Sequence, residues 1–191
     1  MITRESLLTL EAYAKQRAQF RAKVIEHKKR RTVHLGEHVT LMFEDELTIR
    51  YQVQEMLRIE RIFEQDGIQH ELDAYNPLIP DGGNWKATML IEYPDPEERR
   101  RMLGLLKGIE DRAWVQVGDG ARIAPIADED LERENEEKTS SVHFLRFELD
   151  AESRRRLRDG ASVLVGIDHP QYRAAVELTP EVRAALAADL R

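Results

Sequence analysis

The sequence predicts an α+β protein in which largely antiparallel strands pack against three or four helices. Helical apolar periodicity covers most of the first 65 residues, which is the first observation behind this class. The second is a series of short strand-like runs separated by Gly, Pro and Asp turns. The third is the composition, with 41% hydrophobic and 34% charged residues, which is typical of a charge-rich globular protein.

The first predicted elements are a long helix and a β-hairpin. The helix is predicted over residues 3–31, where apolar side chains recur at three- and four-residue steps. Thr3 can cap its N-terminus, and the cations of HKKRR are favourable at its C-terminal end. Two strand-like runs, 32–35 and 38–43, flank Gly36. This spacing predicts an antiparallel pair.

A second helix is predicted over residues 44–65. Acidic residues open it, and Asp66-Gly67 is a usual C-terminal break. A Pro/Gly-rich loop over 76–84 then leads into a buried-type strand. The remaining predictions are a helical turn at 70–75, strands at 85–93, 113–117, 122–126, 141–149, 161–167 and 172–178, and helices at 96–106, 151–158 and 180–190.

The strand predicted over 141–149 alternates regularly between two faces. His143 falls on the same face as Leu145, Phe147 and Leu149, which are all apolar. Ser141 shares that face as well, but no acid can be assigned to complete a nucleophilic triad.

A single domain over residues 1–191 is expected from the length. Charge is unevenly distributed, because residues 1–31 carry a net +6 and residues 127–139 a net −5. The acidic run over 127–139 is predicted to be a helix or a linker. A boundary between an N-terminal and a C-terminal part of the fold is most expected there. Such asymmetry indicates either partner surfaces or two segments that face each other in the fold.

Several functional classes are excluded or disfavoured by composition. Cysteine is absent, which excludes disulfides, thiolate metal ligands and a cysteine nucleophile. No apolar run approaches the roughly 18–20 residues of a membrane span, and the N-terminal residues lack the pattern of a signal peptide. We therefore expect a cytoplasmic protein of bacterial type that does not bind membranes. Nucleic acid is not an expected partner either, because the chain is acidic overall and has only 6% aromatic residues.

Metal binding is one functional hypothesis, with iron or zinc as the expected ions. His34 and His38 straddle a turn and could serve one ion, and His70 is followed by further carboxylates. The plainer alternative is that these histidines make ordinary hydrogen bonds.

Anion binding is a second hypothesis. Arg58 lies in an arginine row on the second helix, and Asn84, Trp85 and Lys86 follow a Gly-Gly loop that exposes backbone N–H groups. Trp85 could cover a ligand there. The alternative is a solvated helix face and a structural loop.

Partner docking is a third hypothesis, centred on the basic end of the first helix. This predicted docking set comprises Lys28, Lys29, Arg30 and Arg31.

Three segments resemble the DUF3501 family of bacterial proteins, which have no established function. They are YQVQEMLRIERIFE, ELDAYNPLIPDGGNWKATMLIEYPD and EEKTSSVHFLRFEL. The resemblance supplies no catalytic residues. It implies a role beside iron or peroxide chemistry, because family members are often encoded near rubrerythrin-like and Fe–S oxidoreductase-like proteins. An accessory protein that docks onto such redox partners is therefore the leading interpretation. The alternatives are a metal-binding protein or metal-dependent enzyme with a His/Glu site, and a small-anion-binding module.

Overall fold

The computed structural model describes residues 1–191 and has the α+β architecture that the sequence predicts. Its residues group into two compact units. Met1–Arg30 and Glu44–Pro80 form what we call the helical unit, and Arg31–Phe43 and Asp81–Arg191 form the sheet unit. Residues 127–139 thus lie inside the sheet unit. A single domain stays a prediction.

The helical unit contains three helices, α1 (Leu10–Lys29), α2 (Glu46–Ile59) and α3 (Gln65–Tyr75). The first begins later than predicted because the Thr9 side chain, not that of Thr3, accepts the first free N–H group, from Ala12. The N-terminal residues instead form a 3-10 turn at Arg4–Ser6. The buried apolar core of this unit comprises Ile2, Ile49, Val53, Leu57 and Leu72.

The second helix is present, but its predicted end is wrong, because the helix stops after Ile59 rather than at Asp66-Gly67. Arg61 adopts a left-handed backbone with φ 55°, and the Ile62 N–H donates to the Leu57 carbonyl at 2.9 Å. These are the features of a Schellman C-cap. Gly67 lies inside α3, where a Cβ would come within 2.7 Å of the Ile62 side chain. Gly67 therefore makes room for the Ile62 side chain and does not end a helix.

The sheet unit contains two antiparallel sheets and three helices. Its strands are β1 (Thr32–Leu35), β2 (Val39–Phe43), β3 (Asn84–Ile91), β4 (Ala113–Val117), β5 (Ile126–Ala127), β6 (Val142–Glu148), β7 (Val163–His169) and β8 (Tyr172–Glu177). One sheet has the order β1-β2-β3-β6-β5 and the other the order β4-β7-β8. The helices are α4 (Pro96–Leu105), α5 (Ala151–Arg158) and α6 (Pro180–Ala187).

The predicted hairpin is confirmed, since β1 pairs with β2 in antiparallel register. Aromatic rings of three neighbouring strands, Phe43, Trp85 and Phe147, meet in the core of the sheet unit. The alternation predicted for β6 is confirmed too, with His143, Leu145 and Phe147 on the buried face. The fold thus places an imidazole beside the apolar core.

None of the six helices combines the length and the apolar character that crossing a membrane requires.

Gly166 is a position where the fold leaves no room for a side chain. It pairs with Trp114 across β7 and β4, and a Cβ would lie 2.4 Å from the indole Cζ2 and 2.8 Å from the Ala174 carbonyl oxygen. We expect Gly166→Ala to lower the free energy of unfolding by about 1–3 kcal/mol, as overpacking does. The matched control is Gly83→Ala, whose Cβ would make only ordinary contacts. Denaturant titration of both variants checks this, and equal stabilities would contradict it.

Candidate metal centre

Three side chains with metal-ligating atoms converge at the start of β6. They are Glu110, Asp128 and His143, and one ligand atom from each lies within 4.8 Å of the others. All three belong to the sheet unit. We call this group the carboxylate–histidine cluster.

Each member of the cluster is fixed by a different element. His143 lies on the buried face of β6, and Glu110 lies on a short 3-10 helix, Ile109–Arg112, that follows α4. Asp128 follows β5 directly and has a left-handed backbone with φ 49°, which Asp tolerates better than most residues. Its N–H donates to the Phe144 carbonyl at 2.8 Å, and its Oδ1 accepts the Phe144 N–H at 2.9 Å. The Phe144 backbone therefore fixes both the main chain and the carboxylate of Asp128.

His143 is fully buried, and oxygen atoms surround both of its ring nitrogens. Nδ1 lies 2.6 Å from Asp128 Oδ2, so the Nδ1–H group donates a hydrogen bond to the carboxylate. Nε2 lies 3.0 Å from Thr139 Oγ1 and 3.0 Å from the Ser140 carbonyl oxygen. A carbonyl oxygen only accepts hydrogen bonds. The surroundings of Nε2 therefore favour a positive partner there, either a proton or a metal ion.

Glu110 supplies the free acceptor of the cluster. Its Oε2 is buried, has no hydrogen-bond partner, and lies 3.9 Å from His143 Nε2. Burial raises the pKa of this carboxyl group, while the nearby His143 works in the opposite direction. An unsatisfied buried oxygen costs about 1–3 kcal/mol. A cation between Oε2 and Nε2 would remove that cost.

The distances are compatible with one small divalent ion. Nitrogen and carboxylate ligands lie about 2.0–2.2 Å from Zn²⁺, so two ligands of one ion are at most about 4.3 Å apart. The 3.9 Å between Nε2 and Oε2 is within that reach. Asp128 would then act behind the imidazole, orienting the ring and raising its basicity as second-shell carboxylates do. Thr139 Oγ1 and the Ser140 carbonyl are further oxygen donors beside Nε2.

The histidines singled out from the sequence lie elsewhere. His34 is exposed on β1, with Nδ1 3.2 Å from Thr40 Oγ1. His38 stacks on Tyr93 with 3.9 Å between ring centroids, and its Nδ1 lies 2.9 Å from the Glu92 carbonyl. His70 is exposed on α3 of the helical unit. None of the three belongs to a group of three metal-ligating side chains.

The four residues predicted to bind an anion are divided between the two units. Arg58 lies on α2 of the helical unit and pairs with Glu55 at 3.1 Å, whereas Asn84, Trp85 and Lys86 lie on β3 of the sheet unit. Trp85 is 1% exposed, and its indole N–H donates to the Leu186 carbonyl. Lys86 is half-buried, and burial lowers its pKa.

The predicted docking set is divided as well. Lys28, Lys29 and Arg30 lie at the C-terminal end of α1, where Lys29 pairs with Glu26 at 2.6 Å. Arg31 is 2% exposed; its Nε donates to the Phe43 carbonyl, and its guanidinium pairs with Asp189. It is therefore not available to a partner. Docking through the other three stays a prediction.

The helical unit has its own half-buried charge network, centred on Glu55. Arg17 donates to both carboxylate oxygens at 2.7 and 2.9 Å, and the Tyr13 hydroxyl donates at 2.7 Å. Hydrogen bonds from Arg17 first, with those from Tyr13 and Arg58, lower the pKa of Glu55 to about 2. This network is a structural tie between α1 and α2.

The Glu55 network makes a pH-dependent prediction. Because folding lowers the Glu55 pKa from 4.5 to about 2, its stabilisation is complete above pH 4.5 and is lost as the pH falls towards 2. We expect Glu55→Gln to destabilise by roughly 1.5–3 kcal/mol at pH 7, with the difference from wild type shrinking across that window. The exposed, paired Glu11 provides the control Glu11→Gln, expected within about 0.5 kcal/mol. A pH-independent difference would refute the assignment.

Sequence reasoning missed Glu110 and Asp128 as candidate ligands. They lie 33 and 15 residues before His143 and fit no short ligand motif. The available signal was His143 itself, because a polar residue on the apolar face of a strand needs partners. Its partners come from loops whose paths the local pattern does not determine.

The geometry defines an α+β protein with a buried histidine held between two carboxylates. The chain belongs to the family described as protein of unknown function (DUF3501), whose model matches residues 1–190. It is also similar to a protein of unknown function from Burkholderia pseudomallei K96243 whose crystal structure is known, with 58% identity and a TM-score of 0.95. That match covers 100% of this chain and 99% of the other. No curated protein matches the sequence.

Proposed function

We propose that this protein binds a divalent transition metal ion, iron or zinc, at the carboxylate–histidine cluster. His143 Nε2 and Glu110 Oε2 are the proposed protein ligands, and Asp128 orients the imidazole. One observation carries the proposal: the buried Glu110 Oε2, which has no hydrogen-bond partner, lies 3.9 Å from Nε2.

The donor atoms favour a transition metal over a hard cation. Imidazole suits zinc, iron, copper and nickel, whereas Mg²⁺ and Ca²⁺ prefer oxygen-only surroundings. The oxygens of Glu110, Thr139 and Ser140 complete a mixed nitrogen and oxygen set. Because the chain has no thiolate, the set gives copper no soft ligand.

Burial supports a role in holding the ion firmly. His143 is fully buried, and the side chains of Asp128 and Glu110 are 11% and 12% exposed. Ligand atoms in such surroundings are pre-positioned, since packing and hydrogen bonds hold them before the ion arrives. The proposed function is therefore metal binding, and it includes no catalysed reaction.

Metal content measured by mass spectrometry tests the proposal. The protein is purified untagged, without oxygen, from cells supplied with iron and zinc. We expect close to one equivalent of metal in wild type and a near-complete loss in His143→Gln, with folding checked by circular dichroism. The control is the double variant His34→Ala/His38→Ala, which should retain its metal. Metal-free wild type, or loss in the control alone, would overturn the proposal.

A further inference from the structure

A cationic cavity of about 430 Å³ opens beside α4 in the sheet unit. Its volume falls in the range of roughly 300–1,000 Å³ that small-molecule sites occupy. The lining residues are Pro96, Arg99, Arg100, Leu103, Glu137 and Lys138.

One face of the helix and one turn form the two walls. Pro96, Arg99, Arg100 and Leu103 follow the three- and four-residue spacing of a single helix face. The opposite wall is the turn at 137–138. Three contacts hold it in place: the Thr139 N–H donates to the Leu103 carbonyl, Lys107 Nζ donates to the Glu136 carbonyl, and Gly104 permits close approach to Glu137. These contacts fix the backbone of the turn beside α4.

The charges in the cavity do not balance. Arg99, Arg100 and Lys138 contribute three positive charges against the single carboxylate of Glu137. Arg99 is oriented by donating to the Tyr93 carbonyl at 3.1 Å, whereas Arg100 and Lys138 make no ion pair through their side chains. Three cations that face one space repel each other, and an anion between them relieves that repulsion.

The N-terminus of α4 does not provide the attraction for an anion. Asp95 caps α4 by accepting the Glu98 N–H, and acidic residues occupy the first turn. A second cavity, of about 310 Å³, is lined by Asp95, Glu97, Glu98 and Arg101 and is therefore acidic. The two sides of α4 differ in charge, and only the side of Arg99 and Arg100 suits an anion.

We propose that the cavity lined by Arg99, Arg100 and Lys138 binds a small dianion, which is either a phosphate-bearing molecule or a dicarboxylate. The net charge of +2 matches such a ligand. Arginine pairs with either group through two parallel hydrogen bonds. This site is separate from the cluster of Glu110, Asp128 and His143, and the proposal does not depend on metal binding.

Calorimetric titration of metal-free, full-length protein with inorganic phosphate and, separately, with succinate tests this proposal. We expect saturable, one-to-one binding of at least one dianion, and the tighter of the two identifies the ligand class. Arg100→Gln/Lys138→Gln should weaken binding at least about tenfold, because two unpaired cations are lost. Arg101→Gln, one residue further along α4 but in the acidic cavity, is the matched control and should bind like wild type.

Glu137→Gln separates a ligand site from a structural role. The Glu137 carboxylate is the one negative charge in the cavity and repels a dianion. Removing this charge should therefore tighten dianion binding roughly threefold or more. Failure of both dianions to bind wild type would overturn the proposal. Equal binding by Arg100→Gln/Lys138→Gln, or weaker binding by Glu137→Gln, would overturn it as well.

Discussion

Glu110→Gln is expected to lower the affinity for Zn²⁺ or Fe²⁺ by at least about a hundredfold, because the substitution removes the charge of a proposed ligand. Asp128→Asn should cost less, about 10–100-fold, which is typical of a residue that orients a ligand. The asparagine keeps an oxygen for the Phe144 N–H, so the fold is expected to persist. The difference between the two variants distinguishes a ligand from an orienting residue.

Competition with a chromophoric chelator measures both affinities. The control is Glu132→Gln, which changes an exposed carboxylate of the same acidic run and should leave the affinity unchanged. Unchanged affinity in Asp128→Asn alone would contradict the orienting role of Asp128. Unchanged affinity in both variants would remove the cluster as the binding site.

Asp189→Asn is expected to destabilise the sheet unit by roughly 3 kcal/mol, because it removes one charge of a buried ion pair. Arg31 is 2% exposed and pairs with Asp189, which lies just beyond α6. Denaturant titration measures the loss, and Arg30→Gln is the neighbouring control, expected within about 0.5 kcal/mol.

Replacing both partners of this pair provides a second test. The double variant Arg31→Met/Asp189→Leu should recover part of the stability lost in Asp189→Asn, since apolar replacements of buried ion pairs are often neutral but methionine does not replace the Arg31 hydrogen bond to the Phe43 carbonyl. An Asp189→Asn variant as stable as wild type would show that the pair does not hold α6.

The buried Arg31 changes how partner docking must be tested. Reversing the charges of all four residues of the predicted docking set would disrupt the sheet unit through Arg31. A variant limited to Lys28, Lys29 and Arg30 leaves the Asp189 pair intact and tests the surface alone. Docking onto redox partners of iron or peroxide chemistry stays a prediction until such a variant is compared with wild type.

The class of fold could be predicted because strand and helix periods are local properties of the sequence. The alternation of β6 and the β1–β2 hairpin are confirmed at nearly every residue. The break after Ile59 could not be predicted, because it depends on Arg61 adopting a left-handed backbone, which residues other than glycine rarely do.

The candidate site was less predictable than the fold. His143 is on the expected face, but Glu110 and Asp128 reach it from a 3-10 turn and from the residue after a two-residue strand. Their convergence depends on long-range packing, which residue spacing does not encode. His34 and His38, close in sequence, instead make separate hydrogen bonds on and beside β1.

Anomalous diffraction at the zinc and iron absorption edges, from crystals grown with each metal, tests the metal site most directly. We expect one strong peak about 2.0–2.2 Å from His143 Nε2 and at bonding distance from a Glu110 carboxylate oxygen. A peak at His34 and His38, or no peak in the sheet unit at full metal loading, would contradict this expectation.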